Sequence, residues 1–379
     1  MTEAVTPFQL NVEEAVLADL RSRLERTRWP EAEPVADWSQ GVPLAWLREV
    51  CAYWANGYDW RAREARLNRF RQFTTELDGL PFHFIHQRSP NPDALPLVIT
   101  HGWPGSVVEF HKVIEPLVDP VAHGGSAEDA FHIVCPTLPG FGFSGKPAAP
   151  GWGVERTARA WSALMARLGY ERYVAQGGDW GSAVTTALGW TDPAHCAGIH
   201  ITLAMGTRPS VDGEPSVAEQ RALDGLQHYR AWDSGYSKQQ STRPQTVGYG
   251  LTDSPAGLAG WILEKFWAWT DCNGHPENVL SRDELIDNLM FYWVPAAAAS
   301  SARIYWESFG KTEGRRVEIP TGVAVYPKEI VPPVRKWMSA GYFPNIVHWA
   351  EMDRGGHFAA FEQPELFVSD LRAFFRRFR

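Results

Sequence analysis

Gly177-Gly178-Asp179-Trp180-Gly181-Ser182 is the stretch whose residue types and spacing could do chemistry. It follows the apolar run Arg172 to Gln176 and precedes a helix-like segment, Ala183 to Trp190. Strand, glycine-flanked tight turn and helix make a nucleophile elbow, which thrusts one side chain out above a parallel sheet. The flanking glycines suit a strained turn with no room for Cβ atoms. The usual middle residue is serine, but Gly177-x-Asp179-x-Gly181 puts a carboxylate there. An elbow here would attack carbon with an aspartate. The alternative is that Asp179 caps the following helix, which aspartate does well.

An aspartyl ester must be hydrolysed to free the enzyme. That calls for a base to activate water, an acid to orient the base, and donors for an oxyanion. Of twelve histidines, His357 alone follows the last predicted strand and stands in a glycine turn, Arg354-Gly355-Gly356-His357-Phe358. Histidine suits proton transfer near neutral pH. For the acid, Glu329 lies just past the strand Gly322 to Tyr326, and Asp353 is its rival. Position after the penultimate strand favours Glu329, which leaves Asp353 a turn or ion-pair residue beside Arg354. His101-Gly102-Trp103-Pro104-Gly105 follows the strand where hydrolases of this order carry one oxyanion donor, so the predicted hole is the backbone N–H groups of Trp103 and Trp180. His101 itself reads as support for that loop. Pro139 to Gly145 lacks the closing lysine and hydroxyl of a phosphate loop and reads as a site wall.

The elements that must position these groups follow from periodicity. Asn11 to Glu14 reads as a capping box, and Val12, Val16, Leu20 and Leu24 recur on one helical face before Pro30. A second helix starts at Pro43, and a third, near Trp60 to Phe70, carries Arg61, Arg63, Arg66 and Arg69 on a solvated or ion-paired face. Asp78-Gly79 between Phe73–Leu77 and Leu80–Ile85 signals a hairpin. Strands at Pro96–Thr100, Phe131–Cys135, Arg172–Gln176 and Gly198–Leu203 then alternate with helices near 106–118 and 154–168. Such alternation means a mostly parallel sheet flanked by helices. About a hundred helical, aromatic-rich residues interrupt it before Gly322–Tyr326, and an insertion there should lie as a lid over the ligand-binding strand ends. The expected organisation is an N-terminal helical region packing on the core (1–72), the α/β core (73–204 and 313–379) and the lid (205–312).

Composition bounds the function. The 379 residues are 44% hydrophobic and 21% charged, as in a globular protein. A net charge of −8 argues against nucleic acid or an anionic membrane as partner. No apolar run approaches the roughly 20 residues that span a bilayer, and the start lacks a signal-peptide pattern. Cys51, Cys135, Cys196 and Cys272 form no metal or redox spacing and read as buried free thiols, which fits a reducing cytoplasm.

Together these segments carry a resemblance. The chain is similar, nearly end to end, to the microsomal-type epoxide hydrolases of the α/β-hydrolase superfamily. The matching motifs include Arg28-Trp29-Pro30, His101 to Ser106 and Gly177 to Ser182, then Leu251-x-Asp-Ser-Pro-x-Gly-Leu258, Ile262 to Phe266 and Gly355 to Phe361. The resemblance implies an α/β-hydrolase fold and hydrolysis of an epoxide to a vicinal diol through an aspartyl ester, with no metal or cofactor. It also implies two lid tyrosines that donate to the epoxide oxygen, Tyr236 in Asp233-Ser-Gly-Tyr236 and Tyr305 in Ser300 to Tyr305. From the residues alone, aromatic packing is an equal reading of both. The membrane anchor of the mammalian members is missing, so a soluble bacterial-type member acting on an apolar or aryl epoxide is expected. A homo-oligomer stays open. Two competing readings are a haloalkane dehalogenase, with Trp103 and Trp180 indoles holding halide, and a binding protein that has lost the chemistry.

Overall fold

The structure is a computed structural model and describes residues 4–204, 211, 213–311 and 314–379. The expected lid boundaries at 205 and 312–313 lie outside the described residues. Helices α1 (Glu14–Glu25), α2 (Leu44–Asn56) and α3 (Trp60–Leu67) follow a short strand, β1 (Thr6–Phe8). Next come β2 (Gln72–Leu77), β3 (Leu80–Gln87), β4 (Leu95–Thr100), α4 (Ile114–Val118), β5 (Phe131–Pro136) and α5 (Val154–Arg167). The elbow strand β6 (Tyr173–Gly177), α6 (Asp179–Thr191) and β7 (Cys196–Ile201) close the first part of the core. The insertion between β7 and β8, expected as the lid, holds α7 (Val217–His228), α8 (Gly235–Thr242), α9 (Pro244–Asp253), α10 (Pro255–Trp269), α11 (Arg282–Trp293) and α12 (Ala298–Ser308). The core resumes with β8 (Thr321–Val325), α13 (Arg335–Ala340), β9 (Ile346–Glu351), α14 (Ala359–Glu362) and α15 (Pro364–Phe375).

Among the described residues one sheet runs β1-β2-β3-β5-β4-β6-β7-β8-β9. The strands from β5 to β9 pair in parallel, while β1, β2 and β3 extend the sheet antiparallel. Central strands read as continuous apolar runs because both faces are covered; β5 and β6 are buried at every residue. The hairpin turn has Asp78 at φ +50° and Gly79 at φ +76°, the left-handed pair a two-residue turn requires. All four cysteines are buried free thiols, and among the described residues no helix is long and apolar enough to cross a membrane.

Two local expectations fail. Asn11 caps nothing: α1 starts after Glu13 with no side-chain cap, and the Val12 N–H goes instead to Glu64 Oε1, 2.7 Å away. The helix expected over 106–118 is broken into a 3₁₀ turn (Val107–Phe110) and α4. Pro116 forbids one continuous helix, because its ring would clash with the carbonyl four residues back; it is tolerated only in the first turn of a new one.

The N-terminal helices are fastened to the lid. Trp46 Nε1 donates to Glu277 Oε1 at 2.7 Å, Tyr53 Oη to Asp283 Oδ1 at 2.7 Å, and Tyr58 Oη to Asp287 Oδ1 at 2.7 Å. Arg63 grips the buried Asp287 with Nε 2.9 Å from Oδ1, so part of the arginine run is ion-paired to α11.

Candidate active site

The elbow is dictated by contact between backbones. A Cβ on Gly177 would stand 2.0 Å from Gly181 O, and one on Gly181 only 1.9 Å from Thr100 O at the end of β4. Those approaches turn the chain from β6 into α6 within two residues. Asp179 takes the strain at φ +49°, a conformation that costs a non-glycine residue about 1–3 kcal/mol. The capping alternative does not hold: the N-cap of α6 is Gly178, with no side-chain cap bond. Asp179 turns its carboxylate to the loop after β4, where Oδ1 accepts the Trp103 N–H at 2.8 Å. Oδ2 lies 3.4 Å from His357 Nε2. Trp180 follows in the first turn of α6, where a helix start leaves N–H groups unused by the helix itself.

His357 is presented by the glycine turn after β9, and its Nδ1 is 2.7 Å from Glu329 Oε1. A carboxylate only accepts, so Nδ1 carries the proton and Nε2 faces Asp179. Glu329, just after β8, is buried, and the Lys328 N–H donates to Gly355 O at 3.0 Å, stitching the Glu329 loop to the His357 turn. Asp353 is exposed and pairs with Arg354 at 3.2 Å. Burial disfavours the imidazolium, but the Glu329 charge and the hydrogen bonds to Asp179 and Glu329 outweigh it and hold His357 well above its usual pKa.

The lid brings two phenols over these three residues. Tyr236 opens α8 and Tyr305 lies on α12, with hydroxyls 3.5 Å apart, close enough to converge on one oxygen atom. Each leans on a tryptophan beside Asp179. Tyr236 stacks on Trp103 (4.8 Å between centroids, 7° between planes), and Tyr305 meets Trp180 edge-on at 4.8 Å. Burial pushes both phenols well above 10; Tyr305 adds to this for Tyr236, and the Asp179 charge adds to it for Tyr305. That direction keeps both hydroxyls protonated across the physiological range.

Sequence reading missed a second set of residues. The Lys265 ammonium is buried 2.6 Å from Asp233 Oδ1 and sits 4.7 Å from the centre of the Tyr236 ring. Asp233 also accepts from Trp269 Nε1, and the Trp269 ring meets His357 edge-on at 5.1 Å. A lysine inside the apolar helix α10 was the available signal, since a buried charge needs a partner; nothing in the chain order pointed to Asp233. Ser182 faces away, its hydroxyl donating to Gly177 O at 2.6 Å. His101 supports its loop by accepting the Leu138 N–H at 3.2 Å. The loop 139–145 packs against α12, where Ser300 donates to Gly140 O at 2.6 Å. A cleft of about 1210 Å³ between residues 38–47 and the lid ends on Tyr236 and is walled by Trp38, Trp232, Trp261 and Trp267; Asp179 and His357 do not line it.

Comparisons with known proteins give the family and the fold. Residues 5–110 match a family model described as epoxide hydrolase N terminus, and residues 96–250 one described as alpha/beta hydrolase fold. A Stigmatella aurantiaca protein provisionally named an epoxide hydrolase is 54% identical over 379 residues, spanning 99% of this chain and 86% of the relative. Epoxide hydrolase 1 of Sus scrofa is 37% identical, spanning 98% and 88%. The crystal structure of juvenile hormone epoxide hydrolase from the silkworm Bombyx mori superposes with a TM-score of 0.90 at 33% identity, covering 99% of this chain and 95% of that one. The Aspergillus niger epoxide hydrolase structure gives 0.88 at 32%, covering 99% and 96%.

Proposed function

Because the chain belongs to the epoxide hydrolase family, we propose that Asp179, His357, Glu329, Tyr236 and Tyr305 are the groups that hydrolyse its epoxide substrate. The reaction converts an epoxide and water to a vicinal diol. Asp179 Oδ2 attacks a ring carbon in line with the breaking C–O bond. Tyr236 and Tyr305 hydrogen-bond to the departing oxygen, and one of them supplies its proton. The product is a hydroxyalkyl ester of Asp179. His357, oriented by Glu329, then removes a proton from water, which attacks the ester carbonyl carbon. The oxyanion on Oδ1 is held by the Trp103 and Trp180 N–H groups; as it collapses, the imidazolium protonates the departing diol oxygen, and the remaining water proton returns to the tyrosine, restoring the carboxylate.

One observation carries the assignment. A single carboxylate has one oxygen on a backbone donor and the other facing an imidazole backed by a buried acid. Electrostatics then favours the second step. Esterification removes the Asp179 charge, one of the influences that raise His357, and so shifts the imidazole toward the neutral form a base needs. The rings of Trp103 and Trp180 buttress the two phenols, an arrangement that suits ring opening better than halide capture.

The rings of Trp103, Trp180 and Trp269 clustered with the two phenols beside Asp179 support an apolar or aryl epoxide as substrate. Four free buried thiols support a reducing compartment such as the cytoplasm. The insertion 205–312 is the cap. A panel of styrene-like, aliphatic and polycyclic epoxides with chiral diol analysis tests the substrate class. Turnover should be highest with aryl or bulky apolar members, and preference for small polar epoxides would overturn that reading.

A further inference from the structure

The His357 turn is held from the lid side as well as from Glu329, and one buried carboxylate joins the two. Glu362, the last residue of α14, uses both of its oxygens. Oε1 accepts the Phe358 N–H at 3.1 Å, directly after the base, and Oε2 accepts the Asp271 N–H at 2.8 Å, just past the end of lid helix α10. Asp271 returns the contact, with Oδ2 accepting the Gly355 N–H at 3.0 Å. Between them, the His357 N–H donates to Trp269 O at 2.8 Å. The approach is so close that a Cβ on Gly356 would stand 2.4 Å from Trp269 O and 3.1 Å from both Asp271 N and Glu362 Oε1. Phe358 seals the outer side by stacking on Phe266 of α10, 4.3 Å between centroids.

We propose that Glu362 is a positioning residue for the general base, clasping the His357 turn to lid residues 269–271 so that the imidazole keeps its place over the Asp179 ester. This rests on His357 being the base. A buried carboxylate that accepts two N–H groups from two parts of the fold is costly to leave unpaired, so it fixes both. Burial pushes Glu362 up to about 7, against the pull of the Asp271 and Phe358 N–H groups and of His357. The hydrogen bonds of Glu362 and Asp271 in the clasp go to neither Asp179 nor a phenol. Loss of the clasp should therefore slow ester hydrolysis and spare ester formation.

The test is single-turnover kinetics of Glu362→Gln and Asp271→Ala. Tryptophan fluorescence would follow both steps, and intact-protein mass spectrometry would detect the ester. Glutamine keeps the side chain's volume but turns an NH₂ toward one of the two N–H groups. The expected result is hydrolysis slowed roughly 10- to 100-fold with ester formation within about threefold of wild type, so that ester accumulates. Hydrolysis at the wild-type rate, or both steps falling together with the folded fraction, would overturn the proposal. His357→Gln is the control. If it too fails to accumulate ester, the base assignment is wrong; if it accumulates ester while Glu362→Gln does not, the clasp alone is.

Discussion

Asp179, Glu329 and His357 stand in the loops after β6, β8 and β9, whereas Tyr236 and Tyr305 stand on helices of the inserted lid. The first group is placed by backbone. Glycines with no room for a Cβ fix the elbow, and a hydrogen bond stitches the acid's loop to the base's turn. The second group is placed by side chains, through rings leaning on Trp103, Trp180 and Trp269 and a lysine–aspartate pair beneath Tyr236. On the proposed reading the core half carries Asp179, which serves both steps, and the base and acid of ester hydrolysis, while the two lid phenols act on ring opening.

Mutations can break that division. Asp179→Ala should lower diol formation on the order of 10⁴-fold or more, because both steps pass through it. His357→Gln should cost on the order of 10³-fold in turnover while leaving ester formation intact, seen as a stable mass addition to the protein. Comparable loss of ester formation would move His357 into the ring-opening half. Tyr236→Phe and Tyr305→Phe should each cost roughly 10- to 100-fold in ring opening, since the remaining phenol still reaches the oxygen. The double variant should lose far more than either, and simple additivity would show that the two act apart.

The pH dependence should differ between the halves. A histidine that must be neutral loses competence as pH falls, so hydrolysis should slow on acidification before ring opening does. Phenols held well above 10 stay protonated as pH rises, so ring opening should show no tyrosine limb below about pH 10. Separate single-turnover rates against pH check both signs. The smallest effect on turnover should come from Asp287→Ala, which frees the N-terminal helices from α11. A thermal melt should register a loss of about 1–3 kcal/mol with near-normal ring opening.

The same division governs how much was legible in the sequence. The places of Asp179, His357 and Glu329 after their strands could be read from strand order and glycine spacing, because backbone constraints leave local marks. Spacing alone left a helix cap as the alternative for Asp179, and its carboxylate leaves the helix for Trp103. The tyrosines needed a family resemblance. The Lys265–Asp233 pair and the Glu362 clasp were not read at all, since each joins residues far apart in the chain by side-chain contacts that no periodicity records. Asn11 shows the converse, a local cap signal overruled when Glu64 of α3 took the neighbouring N–H.

The central claim is that water attacks Asp179 and not the epoxide, and a single turnover in ¹⁸O water with enzyme in excess tests it directly. The account predicts ¹⁸O in the peptide carrying Asp179 and an unlabelled first-turnover diol, whose new oxygen comes from the carboxylate. An unlabelled Asp179 peptide with ¹⁸O in the diol would contradict it.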